Sequence, residues 1–185
     1  MRIILLSLFL LLTNLGFSQN PYHITIDKTS GLPSNSVYDI FQDSKGFMWF
    51  ATGKGLCRYD GNDFKLFTAD VQTSKSGSCI AEDKYGRIWY ENFDGFLYYV
   101  EKGCLKALPQ ETSLGYYRFG IINNDLFLIQ PDAVLVYDLK SLKIKAKHAL
   151  GDKEIRFCYA TKDKFYVLGN NLYELDHKNG IKKHK

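Results

Sequence analysis

The sequence predicts an all-β protein made of repeated units, each of four short antiparallel strands. The main observation is a series that recurs 40 positions later: Asp43, Gly46, Trp49, Gly55 and Tyr59 return as Asp83, Gly86, Trp89, Gly95 and Tyr99. In addition, 15% of the residues are aromatic, and aromatic side chains favour strands. A fixed period of this length is typical of propellers and solenoids, whose units cannot bury their apolar surfaces alone. We therefore predict a β-propeller of about four blade-like repeats, expected to be part of a larger propeller.

The first unit shows how each element is predicted. A turn-rich stretch at 30–35 precedes the first strand, and Asp43 to Gly46 form a tight turn, since Asp bonds nearby backbone N–H groups and Gly accepts a positive φ. Asp60-Gly61 is a hairpin signal. The expected strands are 36–42, 47–52, 56–59 and 64–67. Four strands in roughly forty residues are typical of one propeller blade.

The second of these strands indicates a sheet that is covered on both sides. Alternate residues of a strand point to opposite faces. Here both faces are largely apolar: Phe47, Trp49 and Ala51 on one, Met48, Phe50 and Thr52 on the other. A blade between two neighbours accounts for this pattern, whereas a solvent-exposed hairpin does not.

Weaker copies extend the pattern through the rest of the chain. We place the repeats in residues 19–185, with units near 30–68, 76–108, 116–147 and 155–185. The last two units lack the Asp…Gly…Trp series and keep only the spacing of strand, turn and strand. The fourth shows no clear fourth strand.

The N-terminus has the pattern of a signal peptide at residues 1–18. Arg2 gives a positive start, 3–12 is nearly continuous apolar sequence, and Gly16 and Ser18 are small residues at the positions a signal peptidase reads. We expect cleavage before Gln19, with an uncleaved anchor as the alternative, and no membrane span in the mature chain. The protein is therefore expected to be exported, to the periplasm or the cell surface.

The cysteine spacing and the net charge indicate which metal ions and macromolecules the protein is not expected to bind. Four cysteines, Cys57, Cys79, Cys104 and Cys158, form no CxxC pair, so no metal site is expected. Three disulfide pairings are possible, but small buried strand residues are the favoured interpretation. The net charge of +4 is spread along the chain, and the basic run 182–185 is expected to be a solvated end. We expect no nucleic-acid partner.

The segments GLPSNSVYDIFQDSKGFMWFAT (31–52) and GLCRYDG (55–61) resemble the two-component regulator propeller repeat. The resemblance covers roughly 30–100 and is degraded in its second half, where Glu91-Asn92 replaces an Ala-Thr pair. It implies a periplasmic sensor region of a two-component histidine kinase. Such a region would bind an extracellular ligand, often a glycan, and connect to the remaining sensor and kinase domains.

Few residues are candidates for a site. Glu91 and Asn92, where the copies differ near a strand end, are the predicted ligand-binding residues, although drift of a degraded repeat is the simpler explanation. We expect Trp49 and Trp89 to be core residues rather than sugar-stacking ones. Asp43 and Asp83 are expected to cap turns, because calcium needs six to eight oxygens. No catalytic motif is present, so no catalytic residue, cofactor or metal ligand is predicted. The predicted function is ligand sensing by binding; an exported propeller enzyme acting on glycans is the alternative.

Ring closure remains open at the level of sequence. Four repeats could close a small ring, with Tyr22 to Ile26 as a strand completing the last blade, or they could form an open part of a larger ring. Terminal blades with unpaired apolar faces expose aggregation-prone surface. We therefore expect marginal stability and binding of hydrophobic dyes.

Overall fold

Four antiparallel sheets in chain order make up the protein in the computed structural model, which describes residues 22–109, 119–152, 155–176 and 180–184. Each sheet has four strands in sequential order, and we call the sheets blades 1 to 4. The strands are β1 Val37–Gln42, β2 Met48–Thr52, β3 Gly55–Tyr59, β4 Phe64–Phe67, β5 Gly77–Glu82, β6 Ile88–Asn92, β7 Leu97–Glu101, β8 Cys104–Ala107, β9 Phe119–Ile122, β10 Asp125–Gln130, β11 Ala133–Asp138, β12 Lys143–Ala149, β13 Phe157–Ala160, β14 Lys164–Leu168, β15 Leu172–Asp176 and β16 Ile181–His184. This arrangement confirms the predicted all-β propeller fold.

Each blade packs face to face against the next one in the chain. Three core clusters of buried side chains lie between consecutive blades, and burying such apolar surface is the main favourable term in folding. Their largest members are Trp49, Tyr90 and Tyr98 between blades 1 and 2, Trp89, Tyr99 and Tyr137 between blades 2 and 3, and Phe127, Phe165 and Tyr173 between blades 3 and 4. Blades 2 and 3 are thus covered on both sides, as the two apolar faces of their central strands require.

The outer face of blade 1 is covered by the segment that precedes it. Leu32 packs with Phe50 and Cys57 and is 4% exposed. A short 3₁₀-helix, Lys28–Ser30, holds this segment in place, and the Asp27 carboxylate caps it by accepting from the Thr29 and Ser30 N–H groups. The segment therefore takes the place of a preceding blade.

Among the residues that the structure describes, none covers blade 4 in this way, and the four blades form an open arc. The outward face of blade 4 carries Phe157, Tyr159 and Leu168 at 47%, 60% and 44% exposure. None of the core clusters among the described residues joins blade 4 to blade 1. Of the two alternatives for ring closure, the closing strand at Tyr22 to Ile26 is not formed, since these residues make no strand and Tyr22 is 91% exposed. Blade 4 needs no strand from elsewhere, because β16 pairs with β15 as its fourth strand.

The structure also corrects part of the 40-residue correspondence. Trp49 pairs across the sheet with Arg58, but Trp89 pairs with Tyr99. The turn between β6 and β7 has one residue more than the turn between β2 and β3, because Ala51 pairs with Leu56 whereas Glu91 pairs with Leu97. Gly95 and Tyr99 therefore do not occupy the positions of Gly55 and Tyr59, although the sequence spacing is identical.

In the described part of the chain, no helix is long and apolar enough to cross a membrane.

Candidate functional site

The recurrent Asp, Gly and Trp residues build one turn twice. In blade 1, Asp43 Oδ1 accepts from the backbone N–H groups of Lys45 and Phe47 at 3.0 and 2.9 Å, and Oδ2 accepts from Trp49 Nε1 at 2.8 Å. Gly46 has a φ of 87°, which a side chain disfavours. One carboxylate thus fixes the turn and the indole together, leaving both of its oxygens occupied.

The same turn in blade 2 carries an extra cation. Asp83 accepts from the Tyr85 and Arg87 N–H groups and from Trp89 Nε1. It also accepts from Arg87 Nε at 2.6 Å, in an ion pair whose two side chains are 7% and 0% exposed. Arg87 donates further to the Leu139 carbonyl of blade 3. These buried contacts hold the blades together and leave neither aspartate open to a ligand.

The two predicted ligand-binding residues lie at the end of β6 and are fully buried. Glu91 takes the position that Ala51 has in blade 1, on the face toward blade 3. The Asn92 amide donates to the Ser74 carbonyl at 3.0 Å and accepts from the Phe96 N–H at 2.8 Å. Asn92 thus holds the longer β6–β7 turn, as Thr52 holds its counterpart in blade 1 by donating to the Gly55 carbonyl. A ligand role for either residue stays a prediction, and neither reaches solvent.

A different surface forms a larger concave site. The first strands of all four blades line a cleft of about 390 Å³, which we call the central cleft. Its principal side chains are Phe41, Cys79, Phe119, Ile121, Phe157 and Tyr159. The first strand of each blade contacts that of the next, so the cleft follows the inner side of the arc.

One wall of the central cleft has an unusual backbone. Cys79 lies at a bulge in β5, where the register shifts between Ser78 and Ile80, and its φ is 61°. Positive φ is uncommon for residues other than glycine. Asp39 of blade 1 accepts from the Ile80 N–H at 2.7 Å and so fixes the strand after the bulge. Bulges commonly re-aim a side chain next to a site.

The side chains that line the central cleft are mostly uncharged. Its walls are apolar and aromatic, and its charged residue, Glu82, already accepts from the Ser44 N–H and hydroxyl, both at 2.7 Å. Among the described residues, no group of His, Cys, Asp or Glu side chains is placed to hold a metal ion. Such walls suit a largely uncharged ligand that presents flat apolar faces.

Sequence reasoning did not find this cleft, because its residues come from four separate units and share no motif. One signal was available. The first strand of each blade lies nearest the axis of a propeller, so the first strands of the predicted units were the place to look. The 40-residue repeat draws attention instead to the turns.

Comparison with protein families finds a match for the motif of the first repeat. Residues 31–54 match the family model of the two component regulator propeller. The match covers the segment before β1, β1 itself and β2, and it confirms the resemblance for this repeat. No curated protein matches the chain.

Solved structures share the fold at low sequence identity. Virginiamycin B lyase from Staphylococcus aureus is 17% identical with a TM-score of 0.65, over 84% of this chain and 57% of that one. The extracellular domain named as that of the hybrid two component system BT3049 from B. thetaiotaomicron is 18% identical with a TM-score of 0.64, over 88% and 26%. The extracellular domain of BT4673 from the same species, named as a one component system in one structure and as a hybrid two component system in another, is 20% identical with a TM-score of 0.59, over 83% and 22%. The chain thus spans little more than half of the lyase and about a quarter of the two extracellular domains.

Proposed function

We propose that the protein is an exported ligand-sensing propeller module of a two-component signal-transduction protein, which acts by binding rather than by catalysis. The central cleft is the observation that carries the proposal, because all four blades contribute to it and its walls suit a ligand. The match of residues 31–54 to the regulator propeller supports the signalling role. The likeness to extracellular domains of two-component systems supports export.

The ligand class that we propose is a neutral saccharide. Exposed aromatic side chains beside a concave surface can stack on the apolar faces of sugar rings. Tyr159, which is 60% exposed on the outward face of blade 4, also lines the central cleft. The signal would pass to further sensor and kinase domains that bind the propeller.

The alternative is an exported propeller enzyme, and the likeness of the fold to virginiamycin B lyase is the observation that favours it. The central cleft offers little support for it. Of the residues described there, only Glu82 is a carboxylate and none is a histidine, whereas acid–base catalysis requires positioned proton donors and acceptors.

The test is a screen of the purified protein against neutral oligosaccharides by thermal shift, followed by calorimetry on any ligand found. We expect binding that Tyr159→Ala weakens by at least about tenfold, or 1.4 kcal/mol. Tyr85→Ala is the matched control, because Tyr85 is 49% exposed but lies outside the cleft. Conversion of a saccharide into products would support the enzyme instead, and a screen without any binder would overturn the proposal.

A further inference from the structure

The central cleft lies where one ligand would contact the end of the arc together with its middle. Blade 1 contributes Phe41 to the lining, blade 2 Cys79–Glu82, blade 3 Phe119–Ile121 and blade 4 Phe157–Ala160. Most of the lining therefore comes from three consecutive blades, of which blade 4 is the last in the chain. An occupant of the cleft would connect blade 4 to the two blades before it.

Blade 4 is the blade with the fewest packing contacts of its own. Phe165, Val167 and Tyr173 pack in the core cluster that it shares with blade 3. Its opposite face leaves Phe157 and Leu168 47% and 44% exposed. Each of the other three blades contributes to a core cluster on both of its faces. Because local opening costs least where few apolar contacts are buried, blade 4 should open at the lowest free energy.

One aromatic side chain of β13 belongs both to the uncovered face of blade 4 and to the cleft. Because Cys158 and Ala160 pack against blade 3, Tyr159 between them points to the other face. Tyr159 is 60% exposed and lines the central cleft. A ligand between Tyr159 and the Cys79–Glu82 wall would therefore contact blade 4 on the face that no core cluster of the described residues covers.

We propose that a ligand in the central cleft fastens blade 4 to blades 2 and 3, so that occupancy of the cleft is converted into the ordering of blade 4. A ligand can shift a conformational equilibrium only when it binds the two states with different affinity. If it binds only while blade 4 is docked, it multiplies the docking equilibrium constant by 1 + [L]/Kd, about tenfold at ten times Kd. The inference rests on the proposed sensing function and names the response of the protein to its ligand.

Hydrogen exchange of the intact protein with maltotriose and with cellotriose tests the proposal. β15 and β16 are the strands to follow, because they belong to blade 4 but do not line the cleft, so a ligand cannot shield their amides directly. At about ten times Kd their exchange should slow about tenfold. The outer strand of blade 1, β4, is the internal control and should slow less than about twofold, since blade 1 is covered on both faces. Binding of a trisaccharide that leaves β15 and β16 unchanged, or that slows all four blades equally, would overturn the proposal.

A covalent bridge across the cleft tests the same step without any saccharide. Tyr159→Cys provides a thiol in blade 4, and Cys79, a free thiol of blade 2, lines the same cleft. A bis-maleimide can join these two positions, and Cys104→Ser removes the exposed thiol that would compete. The bridged protein, identified by peptide mass mapping, should show slower exchange in β15 and β16, whereas the same variant treated with N-ethylmaleimide should not.

The bridge and the saccharides together separate the two proposals. A bridged protein whose β15 and β16 exchange at the unaltered rate would overturn the inference, whatever the saccharides do. A bridge that never forms would show that the two positions do not face one cleft and would overturn it as well. Slower exchange in the bridged protein, combined with no saccharide binding, would support the link between the cleft and blade 4 and contradict only the sensing of neutral saccharides.

Discussion

At the scale of single residues, the two copies of the Asp turn are a matched pair that differs in one ion pair. Asp43→Ala leaves three N–H donors without their acceptor, each costing about 1–3 kcal/mol where it stays buried. Asp83→Ala does the same and also strands the buried Arg87, a loss of about 3–5 kcal/mol for a broken buried pair. We therefore expect Asp83→Ala to lower the urea midpoint clearly more than Asp43→Ala. Asp60→Ala, which removes an exposed turn cap, is the control at about 1 kcal/mol; equal losses for Asp43 and Asp83 would contradict the role of the ion pair.

The cysteines give a second prediction at this scale. Cys57 and Cys104 are both free thiols, and Cys57 is buried whereas Cys104 is exposed. Burial raises the pKa of the Cys57 thiol to about 11, so at pH 8 it is protonated as well as covered, and only the thiolate reacts. Iodoacetamide followed by peptide mass mapping should label Cys104 in the native protein and Cys57 only after unfolding. Labelling of both at the same rate in native buffer would show that blade 1 is not closed by Leu32.

Sequence reasoning predicted the turns of the repeat but not their full chemistry. An Asp three residues before a Gly indicates a capped turn because both effects are local. The hydrogen bond that the Trp49 indole donates to Asp43 depends on how β1 and β2 pair. The spacing of residues in the sequence does not give that pairing. Likewise, the change from Thr52 to Asn92 near a strand end marks a difference between the two copies, but the sequence does not show that the Asn92 amide holds a longer turn.

At the scale of elements, close approach between blades 3 and 4 depends on a glycine. A Cβ on Gly120 would lie 2.6 Å from the Phe165 ring and 2.8 Å from the Ala160 Cβ. Gly120→Ala should therefore destabilise by about 1–3 kcal/mol through overpacking. Phe165→Leu should recover part of this loss in a double-mutant cycle, since residues in contact are not additive.

Gly46→Ala is the control for this cycle. Gly46 has open space around it, so its substitution costs only backbone strain at a φ of 87°. Phe165→Leu should not relieve that cost. Additive effects of Gly120→Ala and Phe165→Leu would show that the two blades adjust without strain.

The elements that escaped sequence analysis are those defined by their partners. β16 contains Lys182 and Lys183 and looks like a solvated end, yet its backbone pairs with β15 and its side chains stay exposed. The reverse holds for Tyr22 to Ile26, whose alternating pattern favours a strand although no neighbouring edge receives it. An outer strand needs only one partner, so its own composition carries little signal.

At the scale of the whole molecule, the repeat explains why each blade packs on the next one in the chain and why the end of the arc is expected to be less stable. Each blade is stabilised by its neighbours, so stability should depend on how many neighbours a blade has. The Asp27–Asn35 segment covers blade 1, while blade 4 leaves Phe157, Tyr159 and Leu168 exposed. Marginal stability and dye binding by this face stay predictions, and the exposed side chains are the physical reason for them.

Hydrogen exchange on the intact protein tests this dependence directly. All five residues of β6 are buried, whereas three of the four in β16 are exposed. Because blades open locally in order of their buried contacts, amides of β6, β7 and β10 should exchange slowest and those of β15 and β16 fastest. The Asp27–Asn35 cover should give blade 1 more protection than blade 4, although both are terminal. Uniform protection across the four blades would mean that the arc unfolds as one unit, and the neighbour-by-neighbour account of its stability would then be wrong.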